Sequence, residues 1–239
     1  LQGFYSVIKG KDEFIRFAFL TGVTKLGKMS IFSGLNNLND ISMDLGFSDI
    51  CGVSEAELKE YFDGSVTELA EACRMSREEC YAKLKTMYDG YHFSEGAAGI
   101  YNPFSLLNTF KANRFRMYWF ETGTPTFLVR YLKQIKCNLD NISKDDVPVE
   151  TLTGANYMAP APITLMYQTG YLTIAGYDER FKTYNLDYPN EEVKAGFLNS
   201  LSQLYAPALI QGEFSVYQFV RDIERGDVQG FMDRFTSFL

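Results

Sequence analysis

A short apolar run, Phe17-Ala18-Phe19-Leu20-Thr21-Gly22-Val23, closed by a Thr-Gly turn signal, sets the first limit on how this chain folds. An unbroken run of this length suits a strand covered on both faces, as in a parallel sheet, because a half-exposed strand alternates. One strand is not a sheet, so its neighbours are expected in polypeptide outside this sequence. Both ends are read the same way. Leu1-Gln2-Gly3-Phe4-Tyr5 opens on apolar residues without Met, and Phe231 to Leu239 carry an apolar helical pattern with no Gly or Pro stop signal. The expectation is the middle of a longer protein.

The 239 residues are 46% hydrophobic and 22% charged, a composition that builds a packed core and excludes disorder, collagen and disulfide miniproteins. No run approaches the roughly 18 to 20 apolar residues that span a bilayer, and no basic, apolar leader suggests secretion. Four Cys without a CxxC pair and a single His leave no ordinary zinc site. Reduced, buried thiols in a cytoplasmic protein are expected. The net charge of −7 weighs against nucleic acid as a partner, which needs a positive surface to displace counterions. No membrane partner is expected either.

Along the chain, residues 4–16 read as helix broken or capped near Gly10, and residues 24–46 as loop. Ser54-Glu55-Ala56-Glu57 and Ser76-Arg77-Glu78-Glu79 are capping boxes, in which Ser caps the helix and Glu reaches back. Between them 65–73 is amphipathic through Val66, Leu69, Ala70 and Cys73, so three short helices follow one another. Tyr88 to Phe93 form a turn. Asn102-Pro103 starts a helix with Phe104, Leu107 and Phe110 as its apolar residues, and 125–135 starts in the same Pro-led way. Residues 138–160 read as polar loop with a short strand at 147–152. Ile163 to Gln168 is a helix, Tyr171 to Ile174 and Lys182 to Tyr188 alternate as a hairpin, and Pro189-Asn190 opens another helix. Helix then hairpin is the outline of a winged helix. Two helices split at Gly226 complete the chain. The fold class is mostly α with small β elements (α+β): a helical unit and a winged-helix-like unit beside a remnant of an α/β core.

Chemistry-bearing motifs are few. The phosphate-cradling GxxxxGK[ST] and the dinucleotide GxGxxG patterns are absent. His92, flanked by Tyr91 and Phe93, has no second His to share a metal, and reads as structural. Glu191-Glu192 and Asp145-Asp146 are neighbours in sequence, and adjacent helical residues do not face one another, so capping or solvation is expected for both. Thr21 ends the apolar run where α/β folds place ligands, and its hydroxyl has the chemistry to orient the water attacking a γ-phosphate; an ordinary turn is the competing reading. Tyr167, Tyr171, Tyr177, Tyr184 and Tyr188 offer stacking surfaces, but Asp178, Glu179 and Asp187 make the hairpin acidic, which favours protein packing over nucleic acid.

Seven segments in order now carry a resemblance: Phe19–Lys25, Ser30–Ser42, Tyr88–Phe93, Tyr101–Ser105, Tyr118–Gly123, Tyr167–Leu172 and Pro189–Val193. From about residue 4 to the end, the chain resembles an AAA-ATPase-like family of Bacteroidetes and other anaerobes. That family has a P-loop ATPase core, a helical and winged-helix-like lid, and a C-terminal PD-(D/E)XK nuclease-like domain. The resemblance implies a core remnant at 1–46, a helical lid at 47–137, a winged-helix-like unit at 138–212 and a helical linker at 213–239. It implies a cytoplasmic protein in which ATP with Mg2+ is held by the core, outside this chain. Nucleotide sensing would fall to Thr21, Lys25, Asn36, Asn37 and Asp40. The other motif residues, Tyr88, Asp89, Gly90, Tyr91, His92, Phe93, Asn102, Pro103, Trp119, Glu121, Gly123, Asn190 and Glu191, would be structural. Neither the ATPase nor the nuclease signature lies in these residues, so no catalytic residue and no metal ligand is expected here. The ATPase core and the nuclease-like domain are the partners implied in cis. Arg114, Arg116 and Arg130 are candidates for a lid arginine, with solvation the competing role. Two other readings stand beside this one: a winged-helix-like protein-interaction module, and an enzyme with a site near Asp89 and His92.

Overall fold

The computed structural model describes residues 7, 10–22, 39–122, 126–136, 144–153, 161–205 and 216–238. The chain is about 54% helical with one small three-stranded antiparallel sheet, a mostly α architecture with small β elements.

Both capping boxes form. Ser54 Oγ accepts from the backbone N–H of Glu57 while the Glu57 carboxylate accepts from the N–H of Ser54, starting α1 (Glu55–Tyr61). Ser76 and Glu79 repeat this at α3 (Arg77–Tyr88). Between them α2 (Asp63–Cys73) turns Val66, Leu69 and Ala70 inward and ends on Arg74 in the left-handed conformation, φ 56°. Asn102 caps α4 (Pro103–Ala112) by accepting from the N–H groups of Phe104 and Ser105. These four helices close on a core of Leu58, Leu69, Leu84, Tyr88 and Leu106 with Cys80, whose thiol is pushed up to about 11 by burial. The face of α4 differs from the one expected from its apolar residues. Phe104 and Leu107 stay 44% and 50% exposed, while Ser105, Leu106 and Thr109 are buried. Ser105 has a buried partner, and that contact sets the rotation of the helix.

Next come α5 (Tyr118–Thr122) and α6 (Thr126–Gln134). Only Val147–Pro148 of the expected strand is extended, as β1; Val149–Thr153 coils into α7, which buries Leu152, and the Thr151 carbonyl accepts from the Thr164 hydroxyl at 2.7 Å. Then follow α8 (Pro162–Gln168), the hairpin β2 (Thr173–Asp178) and β3 (Thr183–Asp187), and α9 (Glu191–Tyr205). The sheet order is β1-β3-β2, with Tyr177 opposite Tyr184 and an irregular register between Ile174 and Gly176. A second core joins Leu165, Tyr171, Leu172, Ile174, Leu186 and Phe197 to Leu128, Val129 and Leu132 of α6. Gly196 makes room there: a Cβ on it would lie 2.3 Å from the Phe120 ring. Two helices, α10 (Val216–Glu224) and α11 (Val228–Phe238), pack on each other across Gly226, φ 69°.

The N-terminal apolar run behaves differently. Val7 and Gly10 are helical and Asp12–Phe14 is a 3-10 turn, but 17–22 form neither helix nor ladder, and Phe17 is 81% exposed. No strand pairs with this run among the described residues, where the paired extended segments belong to the small sheet or to isolated bridges far along the chain. Among the described residues no helix is long and apolar enough to cross a membrane.

Candidate functional site

Five of the seven sequence motifs meet at one seam between the two cores. At the end of α3 the chain turns through Asp89 and Gly90, then pairs Tyr91 with Ile100, while Tyr101 pairs with Val53. Gly90 has φ 103°, and a Cβ there would sit 2.0 Å from the Pro189 carbonyl oxygen, so only glycine lets the two segments approach this closely. Asn190 locks the approach: its side-chain amide donates to the Asp89 carbonyl at 3.1 Å and its Oδ1 accepts from the Val193 N–H. Asn102 closes the same corner by donating its N–H to the Tyr88 carbonyl at 2.9 Å.

The strongest polar feature of the seam is Glu192, which sequence reasoning assigned to capping or solvation. It is fully buried. One carboxylate oxygen accepts from Ser105 Oγ at 2.7 Å and the other from the Trp119 N–H at 2.9 Å, so α9 is bonded to α4 and to the start of α5. Its neighbour Glu191 is exposed and lies 3.7 Å from Lys194 Nζ. No local signal separates two adjacent glutamates; the donors stand 87 and 73 positions away.

His92 is held by backbone. Because a carbonyl only accepts, Nδ1 carries the proton donated to the Ala97 oxygen at 2.8 Å. The His92 N–H donates to Thr173 Oγ1 and its carbonyl accepts from the same hydroxyl, tying the turn to β2. Asp89 is 7% exposed, and its Oδ1 has no hydrogen-bond partner among the described residues. Tyr91 stacks on Phe93 at 6.3 Å and lies against Gly170, φ 82°, while Trp119, Phe120, Tyr171 and Phe197 interlock at 5.1 to 6.0 Å. Burial pushes the Tyr91 and Tyr171 hydroxyls well above the usual phenol range and that of Tyr88 up to about 12. These are groups held neutral. No nucleophile-and-base pair is assembled from them, and the seam works as a joint.

The expected nucleotide-sensing residues fall elsewhere. Thr21 is exposed next to the unpaired apolar run, and Asp40 accepts from the Ser42 N–H at 3.1 Å in a local turn. Lys25, Asn36, Asn37 and Gly123 lie outside the described residues, as does the Glu121 side chain. Gly22 to Lys28 have the spacing of the first seven P-loop positions, but Met29 stands where the hydroxyl for Mg2+ belongs. A cleft of about 220 Å³ opens beside the seam, lined by Thr86, Tyr188, Asn190, Asp187, Glu191 and Lys194. Its cation faces two carboxylates, so it does not suit a triphosphate. No three His, Cys, Asp or Glu side chains among the described residues converge as a metal site. The residues described here do not themselves fit ATP and Mg2+.

A protein of Azotobacter chroococcum mcd 1, an uncharacterized protein in the vnfD 5' region, is similar to this chain: 38% identical over 244 residues, covering all of this chain and 44% of that protein. The chain thus spans less than half the length of that curated relative. No family model matches, and no solved structure matches.

Proposed function

We propose that this chain is the sensor-and-lid portion of an ATP-binding, AAA-ATPase-like protein whose phosphate cradle lies in polypeptide outside it. The observation that carries this reading is the exposed apolar run. Phe14, Phe17, Phe19 and Leu20 are 75%, 81%, 48% and 40% exposed, and they include both odd and even positions. Burying one such side chain is worth about 1.5–3 kcal/mol, so a stretch apolar on both parities gains most by joining a sheet covered on both faces. Thr21 then ends a sheet strand where α/β folds bind ligands, with Lys25, Asn36, Asn37 and Asp40 in the loop beyond. ATP and Mg2+ would supply the phosphoryl chemistry in the core; this chain's share is to orient and to close. The longer relative supports the reading, since there a segment like this one is part of a protein more than twice its size. A nuclease-like domain in cis and a cytoplasmic setting belong to the same proposal.

The test compares nucleotide binding by this chain alone and by a longer protein that joins it to a P-loop core. Binding by the longer protein only, with Thr21→Ala lowering hydrolysis about 100-fold at retained affinity, is the expected result. Equal, tight binding by both would overturn the proposal.

One observation favours a second reading, a winged-helix-like module for protein partners without nucleotide dependence. The hairpin tip carries Phe181, 62% exposed beneath the Arg180 guanidinium at 4.8 Å. That reading requires partner capture that ATP leaves unchanged and Phe181→Asp abolishes.

A further inference from the structure

We infer that a stripe of four cations, Arg74, Lys83, Arg114 and Arg116, docks the phosphodiester backbone of a nucleic acid without reading its sequence. Three separate segments bring them together. Arg74 ends α2, where Cys73 Sγ lies 3.8 Å from the Asn113 carbonyl oxygen, setting Arg114 beside that turn. Lys83 on α3 places its ammonium 4.6 Å from the centre of the Phe115 ring. The Tyr88 hydroxyl donates to the Arg116 carbonyl at 2.8 Å and accepts its N–H at 3.1 Å. Residues 113–116 therefore run along α3 from the end of α2 to the Tyr88 hydroxyl, which brings Arg74, Lys83, Arg114 and Arg116 to neighbouring positions of the surface.

All four side chains are exposed, and none forms an ion pair or side-chain hydrogen bond among the described residues. Lys59, Arg77, Lys85, Lys144, Lys194 and Arg234 each do. The chain has 30 acids for 23 bases, so the stripe is not unpaired for want of carboxylates. Of the acids nearest in sequence, Glu79 is bonded to the Ser76 cap, and Glu71 and Glu78 form no ion pair with the stripe among the described residues.

The chemistry favours phosphate over an acidic protein. Three of the four are guanidinium forks, which match phosphate oxygens in pairs. A protein interface needs an apolar anchor at its centre, and here the Phe115 ring is covered by Lys83 and stacked on Tyr88 at 6.3 Å. With that ring occupied no base can stack, so contacts stay on the backbone and carry no sequence information. The −7 net charge confines binding to this stripe and keeps it weak, on the order of 10⁻⁴ to 10⁻⁶ M. The inference is independent of the ATP reading.

The test is fluorescence anisotropy of the full chain with labelled single- and double-stranded DNA and RNA of mixed sequence, at several salt concentrations. Binding is expected to weaken with a log–log salt slope of about −3 to −4, as four phosphate contacts require. Each of Lys83→Ala, Arg114→Ala and Arg116→Ala should lower the slope by about one, and the triple variant should lose at least tenfold in affinity. Arg116→Lys should keep the slope, and Lys182→Ala on the hairpin should change nothing. No binding at 20 mM salt, or binding that survives the triple substitution in a variant with unchanged thermal unfolding, overturns the inference. A poly-glutamate peptide that competes as well as DNA at equal charge also overturns it, in favour of an acidic protein partner.

Discussion

Replacing Glu192 by Ala removes the acceptor that holds α9 against α4 and α5. Its hydrogen bonds to Ser105 Oγ and the Trp119 N–H, 2.7 and 2.9 Å long, are buried, and a buried group left without its partner costs about 1–3 kcal/mol. The substitution leaves the fully buried Ser105 hydroxyl and the Trp119 N–H without this partner, and leaves a void. With the void added, the expected loss is about 3–5 kcal/mol, and at about 2–4 °C per kcal/mol for a chain of this size a fall of roughly 6–20 °C in Tm. Ser105→Ala strips one donor from a carboxyl group that stays buried and costs about 1–3 kcal/mol. Because the two side chains share a bond, the double variant should show about 1.5 kcal/mol or more of coupling. Urea unfolding followed by far-UV circular dichroism gives all three values, and the exposed neighbour Glu191→Ala should stay within about 0.5 kcal/mol as a control. A Glu192→Ala loss below 1 kcal/mol, or additivity of the two variants, would refute the view that this carboxylate joins the cores.

Gly90→Ala combines a left-handed φ of 103° with a 2.0 Å approach to a backbone oxygen that cannot rotate away, so it should cost more than about 4 kcal/mol and separate the seam; a stable protein with native near-UV dichroism would count against the geometry. Burial raises the hydroxyl pKa of Tyr88, Tyr91, Tyr101 and Tyr171, so the stability that the neutral phenols contribute is whole below pH 10 and declines as pH rises past that unfolded value. Phenolate absorbance near 295 nm should rise abruptly with unfolding, and a smooth titration centred at pH 10 would contradict it. Glu55, bonded by Lys59 and Lys85, is held down to about 2; its contribution is present above about pH 4.5 and disappears as pH falls towards 2. Since this carboxylate is 43% exposed, Glu55→Gln should cost less than about 1 kcal/mol at pH 7 and nothing below pH 2, readable from acid unfolding of both proteins.

What could be read from the sequence was whatever is decided within one turn or one hairpin. Ser54 with Glu57 and Ser76 with Glu79 bond across three residues, so the helix starts were visible in the residue types alone. The alternation before and after Asp178 placed the hairpin for the same reason. Burial chosen by distant partners was not visible. Phe104 and Leu107 belong to the apolar set expected to face inward on α4, yet the Ser105 hydroxyl reaches the Glu192 carboxyl group and both stay largely exposed while Leu106 is buried. A carboxylate buried from the far side of the fold outweighs local amphipathicity, and nothing near Ser105 announces it. The expected strand at 147–152 shortened to two residues because Leu152 reaches the second core as part of a helical turn.

The seam also limits how the proposed lid can act. Its hydrogen bonds join one core through α4 to the other through α9, and Gly90 against Pro189 leaves no room for sliding. These contacts predict that the two cores move as one body and not as two halves about a hinge. The backbone adds to this hold: Val53 exchanges two hydrogen bonds with Tyr101, at 2.8 and 3.2 Å, and Asn102 next to it bonds Tyr88. The Asp89–Asn190 corner is the tightest point of this contact, and Asn190→Asp, which sets a carboxylate oxygen against the Asp89 carbonyl in place of the amide donor, should cost about 1–3 kcal/mol in urea unfolding; a variant as stable as the parent would count against the corner as the lock between the cores.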